Sequence, residues 1–543
     1  MIKKYLVTGI ILLFICESIT LSIAVNNIKE SPMCIIDGKI LYTPIFSFNT
    51  YLIDSNGVVV NTWHSNYLPA LSAYMLSNGN ILRPTRFNIQ QGGGGGLEEY
   101  NSQGDLIWCY EYYLAGKYQS HHDIEPLSNG NILMLTWEYK SETEVISAGR
   151  NPDLVNGLVA FEHVIEVQPT SQNTGDIVWE WHSFDHLIQD YDPEKNNYGI
   201  VADHPELLDI NYCRSDHADL LHCNSIDYNE HLDQILISCK NSNEIWVIDH
   251  NITTEEAAGH TGGRYGKGGD LLYRWGNPQA YRVDAPCKFY RQHDATWIDI
   301  DCPGAGNILV FNNGAGRGYS SIDEIVPPVN SSGFYEYTPG SAYAPNDSKW
   351  SYASPGFYSS LFSSAQRLRS GNTLICDGMK GNFFEVTPSM DTIWRYNVTG
   401  KIFKIAYIYP VEQNDSSLCC SGSLSFSEVK LGATVLGSFQ VSNSGGSLLN
   451  WSIESYPSWG NWTFSIVNGS LLAGKNLMVN VTIVAPIEKQ KFIGAVKIID
   501  TDNSSNFCEI DVYLQTPRIK VSYNSLLLWL LERFPILRHL IGL

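Results

Sequence analysis

The chain has 543 residues, 12% of them aromatic, with 31 Tyr, 14 Trp and 45 Gly. That composition belongs to many short strands joined by tight turns and argues against a helical bundle. The formal net charge of −21 argues against nucleic acid as a partner, because phosphate neutralisation needs clustered Lys and Arg; a few local cations still suffice for one small anion.

Residues 1–24 are predicted to be a secretion signal, with Lys3 and Lys4 as a basic start, an apolar core over 6–15 and a small-residue cleavage site at Ser22, Ile23 and Ala24. A secreted or extracytoplasmic chain is therefore expected. Setting Cys16 aside from the 12 Cys leaves an odd number, so at least one thiol is unpaired or pairs between chains. Cys213 with Cys223, and Cys287 with Cys302, are plausible disulfides in an oxidising compartment. Ten Asn-x-Ser/Thr sequons, nine of them after residue 300, predict a glycosylated C-terminal half.

Two short patterns recur along residues 35–415. One is a tight turn feeding a strand, as in Ser77-Asn78-Gly79-Asn80-Ile81-Leu82 and Ser128-Asn129-Gly130-Asn131-Ile132-Leu133. Asn-Gly supplies the positive φ that such turns require. The other is a turn and an alternating strand ending in Trp, at Trp63, Trp108, Trp179, Trp275 and Trp394. With a degenerate unit over 334–350, these closures make about six repeats of four-strand size, the pattern of an all-β, six-bladed β-propeller. Long insertions at 140–158, 182–213 and 251–267 are of a length that shapes or covers a site. The five glycines from Gly92 to Gly96 read as a flexible loop, since no Gly-Lys-Ser/Thr follows them.

Near residue 415 the texture changes. Residues 420–516 are rich in Ser, Asn and Val, alternate in polarity and contain no His, which predicts an immunoglobulin-like β-sandwich with an accessory role. Residues 524–543 are apolar but broken by Glu532, Arg533, Pro535, Arg538 and His539. That predicts a short amphipathic segment, for peripheral membrane or cell-surface contact, and not a bilayer span.

The chemistry-bearing residues form three clusters, each just before a strand: His121-His122-Asp123, His222-Cys223-Asn224-Ser225 and Gln292-His293-Asp294. Propeller blades send the start of each innermost strand to one mouth of the central channel, so the clusters are expected to meet there. Imidazoles that merely fill the channel are the bland reading. Two functional readings compete with it: imidazoles with Asp123 and Asp294 binding a divalent cation, or imidazoles and a cation holding an anionic group that a neutral His attacks.

These three clusters, with Gly269-Asp270-Leu271-Leu272-Tyr273-Arg274-Trp275-Gly276-Asn277-Pro278, Phe311-Asn312-Asn313-Gly314, Tyr319-Ser320-Ser321-Ile322-Asp323-Glu324 and Gly381-Asn382-Phe383-Phe384-Glu385, closely resemble the bacterial and archaeal arylsulfate sulfotransferases over roughly residues 50–410. The resemblance implies transfer of a sulfuryl group from a phenolic sulfate ester to a second phenol, by a ping-pong route through a sulfohistidine, with no nucleotide sulfate donor, cofactor or metal. It implies that His293 is the transient carrier, that His222 and His122 are further catalytic residues, and that Asn224 and His121 bind substrate. The family's arginine falls here on Lys240, which keeps the charge but loses the planar fork that suits a sulfate; Arg317 is expected to compensate. That departure leaves an alternative, a non-catalytic surface propeller that binds a sulfated or aromatic ligand.

Overall fold

The computed structural model describes residues 38–87, 93–213, 219–409, 416–472, 475–517 and 533. The expected signal segment and, apart from Arg533, the expected amphipathic tail lie outside the described residues. The fold is all-β with few and short helices. Among the described residues no helix is long and apolar enough to cross a membrane.

Between residues 38 and 409 the described strands assemble into six antiparallel sheets and one two-stranded parallel sheet. Tyr74–Met75, Ile81–Arg86, Gly95–Tyr100 and Leu106–Glu111 form the first in chain order, and Tyr118–Pro126, Ile132–Lys140, Val159–Ser171 and Thr174–His182 the next, extended by Tyr113–Leu114. The third runs from Cys223–Asn229 to Tyr273–Trp275, the fourth from His293–Trp297 to Trp350–Tyr352 and the fifth from Ser363–Arg367 to Thr392–Asn397. A sixth joins both ends of this region: Ile402–Ile408 pairs with Lys39–Pro44, followed by Asn49–Ile53 and Val59–His64. In the second to sixth sheets, the first-listed strands of consecutive sheets lie against one another.

The tryptophans show how the sheets are linked. The last strand of each of the six antiparallel sheets carries one, and each indole Nε1 donates to a backbone carbonyl before the last strand of the following sheet or, for Thr174, at its first residue. Trp63 donates to Asn101 (2.7 Å), Trp108 to Thr174 (3.0 Å), Trp179 to Ile252 (3.0 Å) and Trp275 to Pro345 (2.7 Å). Trp350 donates to Pro388 (3.0 Å), and Trp394 returns to Ser55 (3.0 Å), in the sheet that holds Trp63. The degenerate unit thus supplies its own member, Trp350, of a cycle of six equivalent bonds. An indole N–H that is buried needs a partner, and here each finds it in the neighbouring repeat.

Two local expectations are corrected. Gly95 and Gly96 belong to a strand, and Gly94 N donates to Ser120 O at 3.0 Å. A Cβ at Gly94 would come within 2.6 Å of that carbonyl, and one at Gly96 within 1.7 Å of the Phe87 ring, so these glycines permit close backbone approach. The disulfides are Cys223–Cys239 and Cys420–Cys508, while Cys213, Cys287 and Cys302 are free thiols. Cys223 and Cys239 face each other across adjacent strands, so the Cys223 sulfur is taken by its cross-strand neighbour and not by Cys213. Within the insertion over 182–213, Leu187–Ile188 and Leu208–Asp209 pair in parallel.

Residues 418–515 form two further sheets, of four and five strands. Their inward residues, among them Phe439, Val441, Trp451, Val481, Val496 and Ile510, share one hydrophobic cluster. Cys420 on one sheet and Cys508 on the other are joined by the second disulfide.

Candidate active site

The three histidine clusters stand on first strands of three consecutive sheets, and each interrupts the pairing of its strand with the next. Register breaks occur between Ser120 and Ile124, between Cys223 and Ser225, and between His293 and Ala295. Around these breaks His122, His222 and Asp294 adopt φ of 52°, 53° and 50°. A bulge leaves its extra residue unpaired and re-aims the side chain. A left-handed non-glycine residue costs on the order of 1–3 kcal/mol and persists where the surroundings over-determine it, as functional sites do.

The bulges bring the imidazoles together. The His122 and His222 rings lie 4.7 Å apart, and Phe403 packs against both His122 (6.1 Å) and His293 (5.9 Å). His121 sits behind His122. It stacks on Trp137 with centroids 4.2 Å apart, its Nε2 donates to Glu162 Oε2 (2.9 Å), and its Nδ1 is 2.9 Å from His122 Nδ1. This relay has two proton arrangements. With both rings neutral, His122 Nε2 carries a lone pair. With His121 an imidazolium against Glu162, His122 Nε2 carries a hydrogen and can donate to an anion. Glu162 Oε1 also accepts from Cys223 N (2.8 Å), which ties this relay to the His222 strand.

His293 is held differently. Its Nδ1 lies 2.7 Å from Asn313 Oδ1 and 3.1 Å from Arg291 O, both acceptors. Asn313 cannot turn its amide, because its Nδ2 donates to Ser359 O (2.8 Å), Ser363 Oγ (3.0 Å) and Leu361 O. The hydrogen of a neutral His293 therefore sits on Nδ1, and the lone pair on Nε2, which has no hydrogen-bond partner among the described residues. Burial, with the nearby Lys240 charge, pushes the His293 pKa down to about 3. Burial, with the neighbouring His222, His121, Lys240 and His293, also holds His122 well below the usual imidazole range. At neutral pH both rings are uncharged, and a neutral imidazole is the nucleophilic form.

His222 Nδ1 pairs with Asp219 Oδ2. Asn224 donates from Nδ2 to Gln292 O (2.8 Å), which braces the His222 strand against the His293 strand, while its buried Oδ1 has no partner among the described residues. Gln292 is itself pinned by the carbonyls of Cys239 (3.0 Å) and Glu244 (2.7 Å). Lys240 lies at the far end of the strand paired with that of His222, and its backbone N donates to His222 O (3.2 Å). The Cys223–Cys239 disulfide joins the residues next to both. Burial lowers the Lys240 pKa to about 8, against the attraction of Asp219.

Beneath the imidazoles lies a layer that the sequence motifs do not announce. Lys404 Nζ is 3.2 Å from Asp123 Oδ2, 3.1 Å from Asp294 Oδ1 and 3.0 Å from the Tyr74 hydroxyl. The carboxylates that a metal reading of these clusters would need are thus neutralised by an ammonium from the sixth sheet. They also reach to neighbouring strands: Asp123 accepts from Ile226 N (3.4 Å) and Asp294 from Ala365 N (2.9 Å).

Arg317 is not part of this group. Its guanidinium lies over the Tyr319 ring (4.4 Å) and donates to Ser321 Oγ (2.6 Å) and Tyr319 O (3.1 Å), beside a separate cavity of about 280 Å³. The turn between Asn313 and Arg317 has Gly314 at a φ of 75° and is closed by Arg317 N donating to Gly314 O (3.0 Å). The cation that acts on Lys240 is Arg291, adjacent in sequence to Gln292. Asn313 and Asp219 belong to or adjoin the motifs already singled out, whereas Glu162 and Lys404 carry no sequence signal.

No curated protein matches the chain significantly. Among solved structures, similarities include a Bacteroides caccae protein of unknown function (12% identity, 69% of this chain and 100% of that chain, TM-score 0.39). Others are a streptogramin B lyase (11%, 67% and 81%, 0.33) and a virginiamycin B lyase from Staphylococcus aureus (9%, 82% and 92%, 0.32). Likenesses of this size carry no argument about activity. The family description "Arylsulfotransferase (ASST)" matches residues 25–415, a span that includes every residue of the histidine centre. By that match the chain belongs to the arylsulfotransferase family.

Proposed function

We propose that this chain moves a sulfuryl group from a phenolic sulfate ester to a second phenol through a sulfated His293, on a six-bladed propeller followed by an immunoglobulin-like sandwich. The cycle of six Trp bonds supports the six blades, and two sheets around one core support the sandwich. Export of the chain is part of the proposal and rests on the signal-like start of the sequence.

The observation that carries the reading is the fixed tautomer of His293. Asn313 keeps the hydrogen on Nδ1, so the Nε2 lone pair is free to attack sulfur. As the Nε2–S bond forms, the sulfur–aryl oxygen bond breaks and its electron pair leaves on the phenolate oxygen. In the second half-reaction the acceptor phenol oxygen attacks the same sulfur, and the Nε2–S bond breaks. Sulfuryl transfer resembles phosphoryl transfer in needing positioned donors and cations around three oxygens. Lys240 and His122 are assigned that role, and the His222–Asp219 pair is assigned proton exchange with the phenol oxygens, whose pKa is about 10. Asn224 and His121 act as braces for these groups.

Brief incubation with 4-nitrophenyl sulfate and no acceptor tests the reading. One equivalent of nitrophenolate should appear with one sulfuryl group on the His293 peptide, read by mass spectrometry. Turnover without an adduct, or an adduct elsewhere, overturns it.

The Lys240 ammonium sets a pH limit. It is cationic below its pKa of about 8 and loses its charge as pH rises through that value. kcat/KM should therefore fall above about pH 8, while Lys240→Arg should remain active there, because guanidinium stays protonated. Parallel profiles for the two proteins would remove Lys240 from the mechanism.

A further inference from the structure

One face of the second sheet carries a group of side chains that sulfuryl transfer does not use. His163 stands directly opposite His182 on the adjacent strand, and Glu180, two residues before His182, shares that face. The two imidazoles stack, with centroids 4.0 Å apart and planes 14° from parallel. Both turn Nε2 toward one carboxylate oxygen: Glu180 Oε2 is 3.0 Å from His163 Nε2 and 3.6 Å from His182 Nε2. Their outer nitrogens face other groups, His182 Nδ1 at 3.3 Å from Glu138 Oε1 and His163 Nδ1 at 3.5 Å from the Tyr112 hydroxyl. Glu138 Oε1 is buried and, among the described residues, faces His182 Nδ1, while its Oε2 is held by Lys140 Nζ at 2.6 Å.

We propose that His163, His182 and Glu180 bind a divalent transition-metal ion of the zinc class, with Glu138 and Tyr112 as the outer partners of the two imidazoles. Zinc takes nitrogen and oxygen ligands at about 2.0–2.2 Å in a tetrahedron, which sets neighbouring ligand atoms about 3.3 Å apart. The distances of 3.0 and 3.6 Å to Glu180 Oε2 bracket that edge before any ion is present. Two imidazoles and one carboxylate are a donor set that zinc, cobalt and nickel favour over calcium or magnesium. A ligating histidine characteristically gives its other N–H to a carboxylate, carbonyl or water, which fixes the tautomer. Glu138 offers that acceptor to His182 with an oxygen that no other described residue engages. Glu180 and His182 are 34% and 26% exposed, which leaves a way in for the ion and a position for water.

The site is distinct from the histidine centre. Glu162, next to His163, points to the opposite face of the strand and holds His121 and the Cys223 amide. A second group of histidines offers a control. His186 Nδ1 and His260 Nδ1 both lie 2.8 Å from Asp270 Oδ1, and His186 Nε2 is already engaged by Ala257 O (2.9 Å).

The test is titration of the untagged, chelator-stripped full chain with Co²⁺, read by visible d–d absorption and by equilibrium dialysis. One equivalent should bind to the wild type and to His260→Ala. Glu180→Gln and His182→Gln should abolish that binding, and Glu138→Gln should weaken it about 10–100-fold. In parallel, Zn²⁺ should raise the thermal midpoint of the wild type and leave that of Glu180→Gln unchanged. A wild type that binds no stoichiometric ion overturns the site. So does undiminished binding in both Glu180→Gln and His182→Gln, or loss of the ion in His260→Ala alone.

Discussion

His293→Asn should lower aryl sulfate turnover by on the order of 10⁴–10⁶-fold, the range seen when a covalent nucleophile is removed from an acyl-transfer enzyme. That corresponds to about 5–8 kcal/mol of lost transition-state stabilisation. The substitution deletes Nε2, the one atom that Asn313 leaves with an unshared pair. The variant should stay folded, since an Asn side chain is smaller than the ring it replaces and retains polar atoms near Asn313. The measurement is nitrophenolate release together with mass analysis of the His293 peptide, with circular dichroism as the check on folding. A folded variant that turns over within about tenfold of wild type would falsify the sulfohistidine route. A wild type that binds aryl sulfates without turning them over would instead favour the propeller that only binds.

Lys404→Met should destabilise the protein by about 3–5 kcal/mol, the usual effect of breaking a buried ion pair from one side. The ammonium lies within 3.2 Å of Asp123 and 3.1 Å of Asp294, and both carboxylates are buried. Those neighbours raise the Lys404 pKa well above the ordinary value. Without it, two carboxylates share a dry site with no cation between them. Asp294 already has a raised pKa, chiefly through burial, and would be raised further. A carboxyl raised in the folded state binds its proton more tightly there than in the unfolded chain, so its contribution is present at low pH and lost as pH rises. The gap between variant and wild type, read from urea midpoints, should therefore narrow on acidification. A loss below about 1 kcal/mol at pH 7 would show that water reaches these carboxylates and that the ion triad is not the hub described here.

Much of the local structure was legible because its causes are local. Asn-Gly turns demand positive φ, and Gly79 and Gly130 have it, at 83° and 87°. The turn-to-Trp units became outer strands, and the unit over 334–350, without a clear signal, contributes Trp350 in the same role. The histidine clusters stood out because each precedes an apolar strand. What misled was linear distance. Arg317 follows Asn313 by four residues, yet the turn between them directs its guanidinium to Tyr319 and Ser321. Cys213 precedes Cys223 by ten residues, yet Cys223 bonds to the cysteine across the ladder.

By itself the sequence determined the all-β class, the repeat and its closing tryptophans, and the residue types of the histidine clusters, since strand period, turn chemistry and side-chain chemistry are written within a few residues. The tertiary structure alone decided which nitrogen of His293 is free, which cation neutralises Asp123 and Asp294, and where the second imidazole pair gathers. Those depend on partners such as Asn313 with Ser363, or Asp123 with Lys404, 281 positions away. Hydrogen-bond direction and the cost of burying charge are settled by the atoms that surround a group in space, and neighbours in sequence do not report them.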